Sequence, residues 1–367
     1  MTRVVEAPGR VNLIGEHIDY HNLAVLPMAL RRRIRVAYAP RDDAQIRADS
    51  AFGPRQFEWT PQLAPVGAGD WENYVRAAAQ AVGGKWGTGR GIDAEVTSDL
   101  PPAAGLSSSS ALIVAFTLAL LCANEREASF EELMEVLPEG EHFVGTRGGG
   151  MDHAASLASR AGCASLIGFA PVTVQTVPLP AGWSFLVAHC LKSAEKSGAV
   201  REEYNARRAA GSAAPGRLGF ASYRDLLAAR NVAEIEALAE RLEPGRERDA
   251  FLHVTTEAIR VHEAVAAMEA GDAARFGRLL LASHASLRDR LRVSCAELDT
   301  LVEAAMAAGA AGARLTGAGF GGCAVIFCPE ADRPRVRRGL LESFYRGRSE
   351  FRESDHLIDA DPGAGAL

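Results

Sequence analysis

Apolar and polar positions follow different patterns in the two halves of the chain. In the first half, short stretches alternate between apolar and polar residues with a period of two, which is typical of β-strands. In the second half, apolar residues recur at helical spacing inside long segments rich in Ala, Leu, Glu and Arg. A strand-rich half followed by a helix-rich half predicts the α+β class.

The individual elements follow from the same patterns. Strands are predicted at 4–5, 31–39, 44–48, 91–98, 164–169, 183–188 and 323–328. Helices are predicted at 71–82, 111–123, 130–137, 200–210, 223–227, 232–242, 248–270, 273–291 and 296–308. Residues 7–22 are predicted to form a polar loop, and residues 359–367 are expected to be frayed.

Composition narrows the class of protein. A chain of 367 residues with 48% hydrophobic residues can bury a sizeable core, and its net charge of −6 argues against a nucleic-acid partner. Its six cysteines are scattered without a C-x-x-C pair, which favours reduced thiols and a cytoplasmic location. The longest apolar run, 111–123, is shorter than the roughly 20 residues that cross a bilayer, and no signal peptide is predicted, so no membrane partner is expected.

A serine-rich loop, LPPAAGLSSSSA at 100–111, lies between a predicted strand and the most apolar predicted helix. Ser108, Ser109 or Ser110 can cap that helix, and Gly105 lets the backbone approach a ligand closely. The N-terminus of the helix would then bind an anion such as a phosphate, although an ordinary serine cap is the simpler explanation of the loop taken alone. A Walker A loop is excluded because no G-x-x-x-x-G-K-[ST] occurs.

Two further loops are rich in glycine. The turn LTGAGFGGC at 315–323 matches G-x-G-x-x-G, but a predicted helix precedes it and a strand follows, the reverse of the order in dinucleotide-binding folds. Its glycines still indicate a backbone that comes close to another group. The loop GTRGGGMDH at 145–153 contains Asp152, which is either a solvated loop carboxylate or a buried catalytic one.

Polar residues cluster between apolar stretches near the start of the chain. Arg10, Asn12, Glu16, His17 and Asp19 lie within the segment GRVNLIGEHIDY. Buried charges are costly unless they are paired, so folding alone explains such a cluster poorly. Carboxylates and an imidazole that converge can instead bind the hydroxyls of one sugar, since each carboxylate accepts from two hydroxyls.

These motifs together resemble those of a known family. GRVNLIGEHIDY resembles the galactokinase signature, and the three loops resemble the three motifs of the GHMP kinases in their order along the chain. WENYV at 71–75, SHASLRD at 283–289 and VSCAELDTLV at 293–302 are similar to the same family. The resemblance spans nearly the whole chain, and the opening motif is its most specific part.

The resemblance implies a two-domain GHMP kinase fold, α+β in class, with the active site in the inter-domain cleft. The N-terminal domain would span 1–165, with the sugar signature, the phosphate loop and the catalytic Asp, and the C-terminal domain would span 166–367, with many helices and the glycine motif 315–323. The implied cofactors are ATP and Mg²⁺. The implied reaction is phosphorylation of galactose at its C1 hydroxyl, so a monosaccharide and ATP are the expected partners.

The same resemblance implies roles for individual residues. Asp152 would be the catalytic carboxylate that accepts the proton of the sugar C1 hydroxyl, and Arg10 would stabilise charge on the transferring phosphoryl group. The implied sugar-binding residues are Glu16, His17, Asp19, Gly149 and Tyr204; the implied ATP-binding residues are Gly105, Leu106, Ser107, Ser108, Ser109, Gly317 and Gly319; the implied magnesium ligands are Ser108 and Glu141.

Departures from the family pattern keep other functions open. His21-Asn22-Leu23 replaces the usual asparagine and two glycines, Ala103 replaces a glycine, and His153 replaces a glutamine. EHIDY, PPAAGLSSSSAL and GGGMD resemble the N-acetylgalactosamine kinase branch, whereas Tyr204 favours galactose.

A sugar sensor without turnover is a further alternative. A non-sugar alcohol such as mevalonate is disfavoured, because its carboxylate would require a basic pocket rather than an acidic one.

Overall fold

Strands and helices alternate in the first half of the structure, and helices dominate the second half. The computed structural model describes residues 2–67, 69–101, 105–145, 149–193 and 199–367, with the side chains of 141–142 and 199–201 outside that description. In this part of the chain the strands are β1 (Arg3–Ile14), β2 (Leu26–Pro40), β3 (Gln45–Asp49), β4 (Arg55–Glu58), β5 (Ile92–Ser98), β6 (Cys163–Gly168), β7 (Thr173–Pro178), β8 (Trp183–His189), β9 (Gly312–Thr316), β10 (Cys323–Pro329) and β11 (Leu357–Asp359). The helices are α1 (Glu72–Trp86), α2 (Ser108–Ala123), α3 (Phe130–Phe143), α4 (Met151–Ala158), α5 (Ala199–Arg217), α6 (Tyr223–Ala229), α7 (Val232–Ala239), α8 (Arg246–Glu269), α9 (Ala273–Ser286), α10 (Ala296–Ala307), α11 (Arg333–Ser343) and α12 (Glu353–His356).

The first strand is much longer than its apolar residues predict. The predicted loop at 7–22 is wrong in its first half, because β1 continues to Ile14. All the residues from 7 to 14 are buried. A strand covered on both faces lacks the polar–apolar alternation that identifies a half-exposed strand, so the polar residues of the motif resemble a loop.

A five-stranded sheet with the order β1-β2-β5-β3-β4 forms the first half of the molecule. Its neighbouring strands are antiparallel except for the parallel pair β3 and β5. Helices α2 and α4 both pack against β1 and β2. Nearly every residue of α2 is buried, which explains why its apolar run shows no polar face. Among the helices of the described residues, none combines the length and apolar character required to span a membrane.

A four-stranded antiparallel sheet with the order β11-β8-β10-β9 lies in the second half. Helices α9 and α10 pack against β9. The helix predicted at 296–308 is confirmed as α10, but the unpredicted strand β9 lies between this helix and the glycine turn at 317–322, which joins β9 to β10. Every residue of β9 is buried, which removes the alternation that would have predicted it. A strand also follows the turn, so the strand–loop–helix order of a dinucleotide-binding loop is not formed.

The C-terminal residues return to the first sheet, and the prediction that they fray is wrong. The N–H of Gly363 donates to the carbonyl of Ala29 (2.8 Å), and the N–H of Ala366 donates to the carbonyl of Ser156 (2.9 Å). These bonds connect the tail to β2 and to α4. They are made by backbone groups, which leave no signal in a pattern of side-chain hydrophobicity.

Candidate active site

An ion pair between Arg10 of β1 and Asp152 of α4 joins two segments that are far apart in the sequence. Nε of Arg10 lies 2.7 Å from Oδ1 of Asp152, and Nη2 lies 2.9 Å from Oδ2, so the pair is bidentate. The side chain of Arg10 is 6% exposed and that of Asp152 is 18% exposed. Charge-assisted pairs with two parallel bonds are strong and fix the orientation of both groups. The two predicted catalytic residues are therefore in direct contact.

Asp152 is the second residue of a helix, so the predicted loop at 145–153 is wrong from Met151 onward. Helix α4 begins at Met151, directly after Gly150, whose φ of 95° is left-handed. The Asp152 carboxylate lies in the first helical turn, where the helix dipole stabilises negative charge. The carboxylate is partly buried and held by partners, which disfavours its interpretation as a freely solvated loop carboxylate.

The serine loop reaches the ion pair through its backbone and through Ser107. Nη1 of Arg10 donates to the carbonyl of Gly105 (2.9 Å), and the backbone N–H of Arg10 donates to the carbonyl of Leu106 (3.1 Å). The Ser107 hydroxyl donates to Oδ2 of Asp152. Three residues predicted to bind ATP phosphates thus lie beside the predicted catalytic pair.

Helix α2 begins at Ser108, and Ser107 is its N-cap in the left-handed conformation (φ 56°). The predicted cap by Ser108, Ser109 or Ser110 is wrong, because the hydroxyl of Ser107 turns toward the ion pair and no side chain caps the helix. The first helical bond runs from the N–H of Ala111 to the carbonyl of Ser107 (2.9 Å). The N-terminus of α2, without a side-chain cap and at the positive end of the helix dipole, is suited to bind a phosphate.

The glycine turn at 317–322 faces the serine loop at close range. Gly105 (φ 73°) and Gly317 (φ 87°) both have left-handed backbones, and a Cβ at Gly317 would lie 3.5 Å from the carbonyl oxygen of Gly105. Gly319 instead contacts Val293, where a Cβ would lie 2.2 Å from the carbonyl oxygen. Gly317 therefore borders the serine loop, whereas Gly319 is required for packing of the turn.

Two carboxylates of the opening motif contact the other loops. Oδ2 of Asp19 accepts a hydrogen bond from the N–H of Gly149 (3.1 Å), just before α4. Oε1 of Glu16 accepts a hydrogen bond from the N–H of Gly317 (2.6 Å). The opening motif, the serine loop and both glycine loops therefore converge on one site.

His17 is neutral and is fixed by two hydrogen bonds. Its Nδ1 lies 2.9 Å from the Tyr20 hydroxyl, and its Nε2 lies 3.2 Å from the carbonyl of Ala318. Because a carbonyl only accepts, Nε2 carries the proton and Nδ1 accepts from Tyr20. Burial, with a smaller contribution from His253, lowers the pKa of His17 to about 3. His17 thus acts at this site as a hydrogen-bonding group rather than as a cation.

Aromatic rings lie along one side of the opening motif. The ring of Tyr204, on α5, lies 5.3 Å from the ring of His17 and 5.9 Å from that of Tyr20. His21 packs against Tyr20 at 4.7 Å and against Tyr223 at 5.1 Å. The predicted Tyr204 is therefore brought to the opening motif, where it lies beside Tyr20, the last residue of GRVNLIGEHIDY, for which no role was predicted.

The tripeptide that replaces the family's glycines still forms the turn. Asn22 has φ 59°, and its N–H donates to the carbonyl of Asp19 (2.9 Å). Asparagine adopts this left-handed conformation more readily than most residues with a Cβ, so the turn forms without glycine. His153, which follows Asp152 and replaces the glutamine of the family pattern, is fully buried.

Clustered carboxylates change the acidity of Asp19. Burial makes the largest contribution to its raised pKa, and the charges of Asp152 and Glu16 raise the pKa further, to about 7. Hydrogen bonds from backbone N–H groups, including that of Gly149, oppose this rise. Asp19 is therefore poised to gain or lose a proton near neutral pH.

A buried polar cluster behind the opening motif has no motif of its own. Arg314, Glu257 and His253 are fully buried, and each bonds to the backbone between residues 12 and 16. The available sequence signal is an arginine inside the apolar stretch GARLT, since a buried charge requires a partner. Such a signal indicates a buried contact but does not identify the partner.

Among the predicted site residues, Glu141 has a side chain that lies outside the described part of the structure. Residues 102–104, which include the family departure Ala103, and residues 146–148 and 194–198 also lie outside it. Ser108 and Ser109 are described and form the start of α2. The predicted placement of Ser108 and Glu141 around one magnesium ion stays a prediction.

Comparison with known proteins agrees with this arrangement. The family GHMP kinases N terminal domain matches residues 73–160, the family GHMP kinases C terminal matches residues 264–346, and the galactokinase galactose-binding signature matches residues 2–40. A galactokinase of Roseiflexus sp. (strain RS-1) is 38% identical over 354 residues, which cover 93% of this chain and 87% of the relative.

Solved structures of a galactokinase and of a mevalonate kinase are also similar to this chain. Lactococcus lactis galactokinase complexed with galactose matches with a TM-score of 0.89 at 26% identity, over 100% of this chain and 95% of that one. Methanococcus jannaschii mevalonate kinase matches with a TM-score of 0.66 at 17% identity, over 99% and 98% of the two chains, which shows a common fold. The predicted α+β GHMP kinase fold is confirmed, and the class of the protein is the GHMP kinases. Within that class the chain belongs to the galactokinase family.

Substitution of Gly149 tests the contact between α4 and the opening motif. In Gly149→Ala a Cβ would lie 2.5 Å from Oδ2 of Asp19, so one of the two segments must move. We expect the free energy of unfolding to fall by about 1–3 kcal/mol, as for other overpacked sites. Chemical denaturation measures this change.

Gly84→Ala is the matched control, because Gly84 lies in α1 and no atom lies within 4 Å of its added Cβ. Alanine is the better helix former, so this variant should be unchanged or more stable by up to about 1 kcal/mol. Equal stability of the two variants would contradict the close contact between Gly149 and Asp19.

Proposed function

We propose that this chain transfers the γ-phosphoryl group of ATP to the C1 hydroxyl of galactose, giving galactose 1-phosphate and ADP. The observation that carries the proposal is the ion pair of Arg10 and Asp152, which contacts the serine loop through Ser107 and lies near the carboxylates of Glu16 and Asp19. Membership of the galactokinase family and the likeness to a galactokinase complexed with galactose support it.

Asp152 is the proposed catalytic base. Arg10 and Ser107 hold its carboxylate in one orientation, so it can accept the proton of the C1 hydroxyl as that oxygen attacks the γ-phosphorus. Arg10 can stabilise the charge on the transferring phosphoryl oxygens. Phosphoryl transfer depends mainly on positioning and on charge stabilisation, which suits two groups that are already fixed against each other.

The sugar is assigned to the opening motif and the residues around it. Glu16 receives its hydrogen bonds from described residues at Oε1, so Oε2 can accept from a sugar hydroxyl. Asp19 has a second carboxylate oxygen beyond the one bonded to Gly149. The proposed sugar-binding set is Glu16, His17, Asp19, Gly149 and Tyr204.

The phosphates of ATP are assigned to the N-terminus of α2. The proposed ATP-binding residues are Gly105, Leu106, Ser107, Ser108 and Ser109, with Gly317 and Gly319 in the opposing turn. Magnesium would be held by Ser108, which opens α2 beside the ion pair, and by Glu141, because hydroxyl and carboxylate oxygens are the ligands this ion prefers. When bound, the ion neutralises charge on the phosphates.

We also propose the division into domains 1–165 and 166–367. It is supported by the two sheets, since β1 to β5 lie before the boundary and β8 to β11 lie after it. The hairpin of β6 and β7 crosses the boundary, and the C-terminal tail rejoins the first sheet. A cytoplasmic location stays a prediction of the sequence.

A kinase assay with a panel of sugars tests the proposed reaction. We expect ADP release to be faster with galactose than with N-acetylgalactosamine, arabinose or glucuronate, and ³¹P NMR should show the product phosphorylated at C1. Asp152→Asn should lower kcat by about 10²–10⁴-fold, the usual contribution of a general base, while ATP affinity measured by calorimetry is largely unchanged.

Asp42→Asn is the control for a lost carboxylate, because the Asp42 side chain is fully exposed. Its kcat should equal that of the wild type. Preference for N-acetylgalactosamine would overturn the assignment of galactose. Stabilisation by galactose without any phosphorylated product would show that the chain is a sugar sensor.

The pKa of Asp19 predicts how sugar affinity depends on pH. Because burial and neighbouring carboxylates raise that pKa to about 7, Asp19 is protonated below pH 7 and loses an acceptor site for hydroxyls. We expect the Kd for galactose, measured by calorimetry, to rise as pH falls below 7, by at most about tenfold per pH unit, and to level off once Asp19 is fully protonated.

Asp19→Asn removes the group whose pKa is about 7, so its galactose affinity should be weaker and nearly constant from pH 5.5 to 8.5. Galactose affinity of the wild type that is constant over this range, or that increases toward low pH, would contradict the role of ionised Asp19.

A further inference from the structure

Side chains from the second half of the chain hold the backbone of the opening motif. Arg314 lies on β9, and His253 and Glu257 lie on α8. Each bonds to a backbone group between residues 12 and 16. We infer that Glu257 and Arg314 are positioning residues for sugar recognition, which fix this segment so that the Glu16 carboxylate faces the sugar. The inference rests on the proposed function.

Glu257 holds the chain at a tight turn. The N–H of Gly15 donates to Oε1 of Glu257 (3.0 Å), and the same oxygen accepts from the Ser283 hydroxyl (2.6 Å). Gly15 has φ 106°, and a Cβ there would lie 3.0 Å from both Val25 and Val261. The chain therefore turns through a conformation suited to glycine, and Glu257 is the acceptor that fixes its N–H.

Glu257 is fully buried and ionised. Its Oε2 accepts a hydrogen bond from Nε of Arg260 (2.8 Å). Burial acts to raise the pKa of Glu257, but the charges of Arg260 and Arg314 and the hydrogen bond from Ser283 act against burial, and the pKa is held at about 2. A charged acceptor binds the N–H of Gly15 more strongly than a neutral amide would.

Arg314 holds the residues before the turn and also contacts Glu16. Its Nη1 donates to the carbonyls of Asn12 (3.1 Å) and Leu13 (3.0 Å), and its Nη2 lies 3.5 Å from Oε1 of Glu16. The same oxygen accepts the N–H of Gly317 (2.6 Å). Arg314 therefore fixes the path of the backbone and also contacts Oε1 of the Glu16 carboxylate.

His253 completes the support on the far side of the turn. Its Nε2 lies 3.0 Å from the carbonyl of Glu16, and its Nδ1 lies 2.9 Å from the Ser286 hydroxyl. Burial lowers the pKa of His253 to about 4, so the neutral ring donates from Nε2 and accepts at Nδ1. The backbone on both sides of the Glu16 side chain is thus fixed by α8 and β9.

Stability alone is a weak reason for such a cluster. Apolar residues of similar volume often replace buried ion pairs without loss of stability. Here Glu257 and Arg314 direct hydrogen bonds to one short segment, the end of β1 and the turn after it, at Gly15, Asn12 and Leu13. Their shared target is the segment that carries the proposed sugar ligand, which favours a role in recognition.

Glu257→Gln tests the inference because it keeps the size of the side chain and removes its charge. We expect the KM for galactose to rise about tenfold, the effect of one weakened charged hydrogen bond. The KM for ATP should be unchanged, because the described contacts of Glu257 do not include the serine loop. Glu263→Gln is the control on the same helix, since Glu263 is 42% exposed and pairs with Arg275.

Arg314→Lys is an independent test of the same inference, and it can be made even if the Glu257→Gln variant does not fold. It keeps the charge but has a single nitrogen, which cannot reach both the carbonyls held by Nη1 and the Glu16 carboxylate beside Nη2, so the same rise in the KM for galactose alone is expected. Variants with a lower Tm but the wild-type ratio of the two KM values would overturn the inference, as would failure of both variants to fold. If the wild type phosphorylates no sugar, the proposed function fails instead, and this is seen before any variant is made.

Discussion

The bidentate contact between Arg10 and Asp152 is the constraint on which the site depends. It joins β1 to α4 across 142 positions of sequence in a nearly buried environment. Loss of either partner would remove the opposite charge from a largely buried group, at a cost of about 3–5 kcal/mol. The pair is therefore both a structural link and the pair of groups that the proposed chemistry requires. The hydrogen bond from Ser107 to Asp152 connects the serine loop to this ion pair.

The two halves of the chain contribute different parts of the site. The first half supplies the catalytic pair and the N-terminus of α2, where a phosphate can bind. The second half supplies the glycine turn and the buried cluster that holds the opening motif from behind. Glu16 lies where these parts meet, because its carboxylate contacts Gly317 while its backbone is held by α8. Sugar recognition in this account depends on the packing of one half against the other.

Much of the site could be predicted from the sequence, because each loop carries a chemical signature. Arg10, Asp152 and Ser107 do meet, and Asp19 does contact Gly149. Motifs identify residues that need each other, and the order of the motifs along the chain matches the known family.

The rest could not be predicted, for physical reasons. Strands β1 and β9 are buried on both faces, so the alternation that identifies strands is lost. The C-terminal tail is held by backbone bonds, and Ser107 rather than a later serine ends the loop because its hydroxyl has a partner in α4. Glu257 lies in a helix, where a charged residue usually faces solvent, and only the tertiary structure shows that it is buried against the motif.

A crystal structure of the protein with galactose and a non-hydrolysable ATP analogue tests the central claim most directly. The account predicts the C1 hydroxyl within hydrogen-bond distance of Asp152, between this carboxylate and a γ-phosphate held at the N-terminus of α2. A sugar whose C1 hydroxyl lies away from Asp152, or phosphates bound away from residues 105–109, would contradict it.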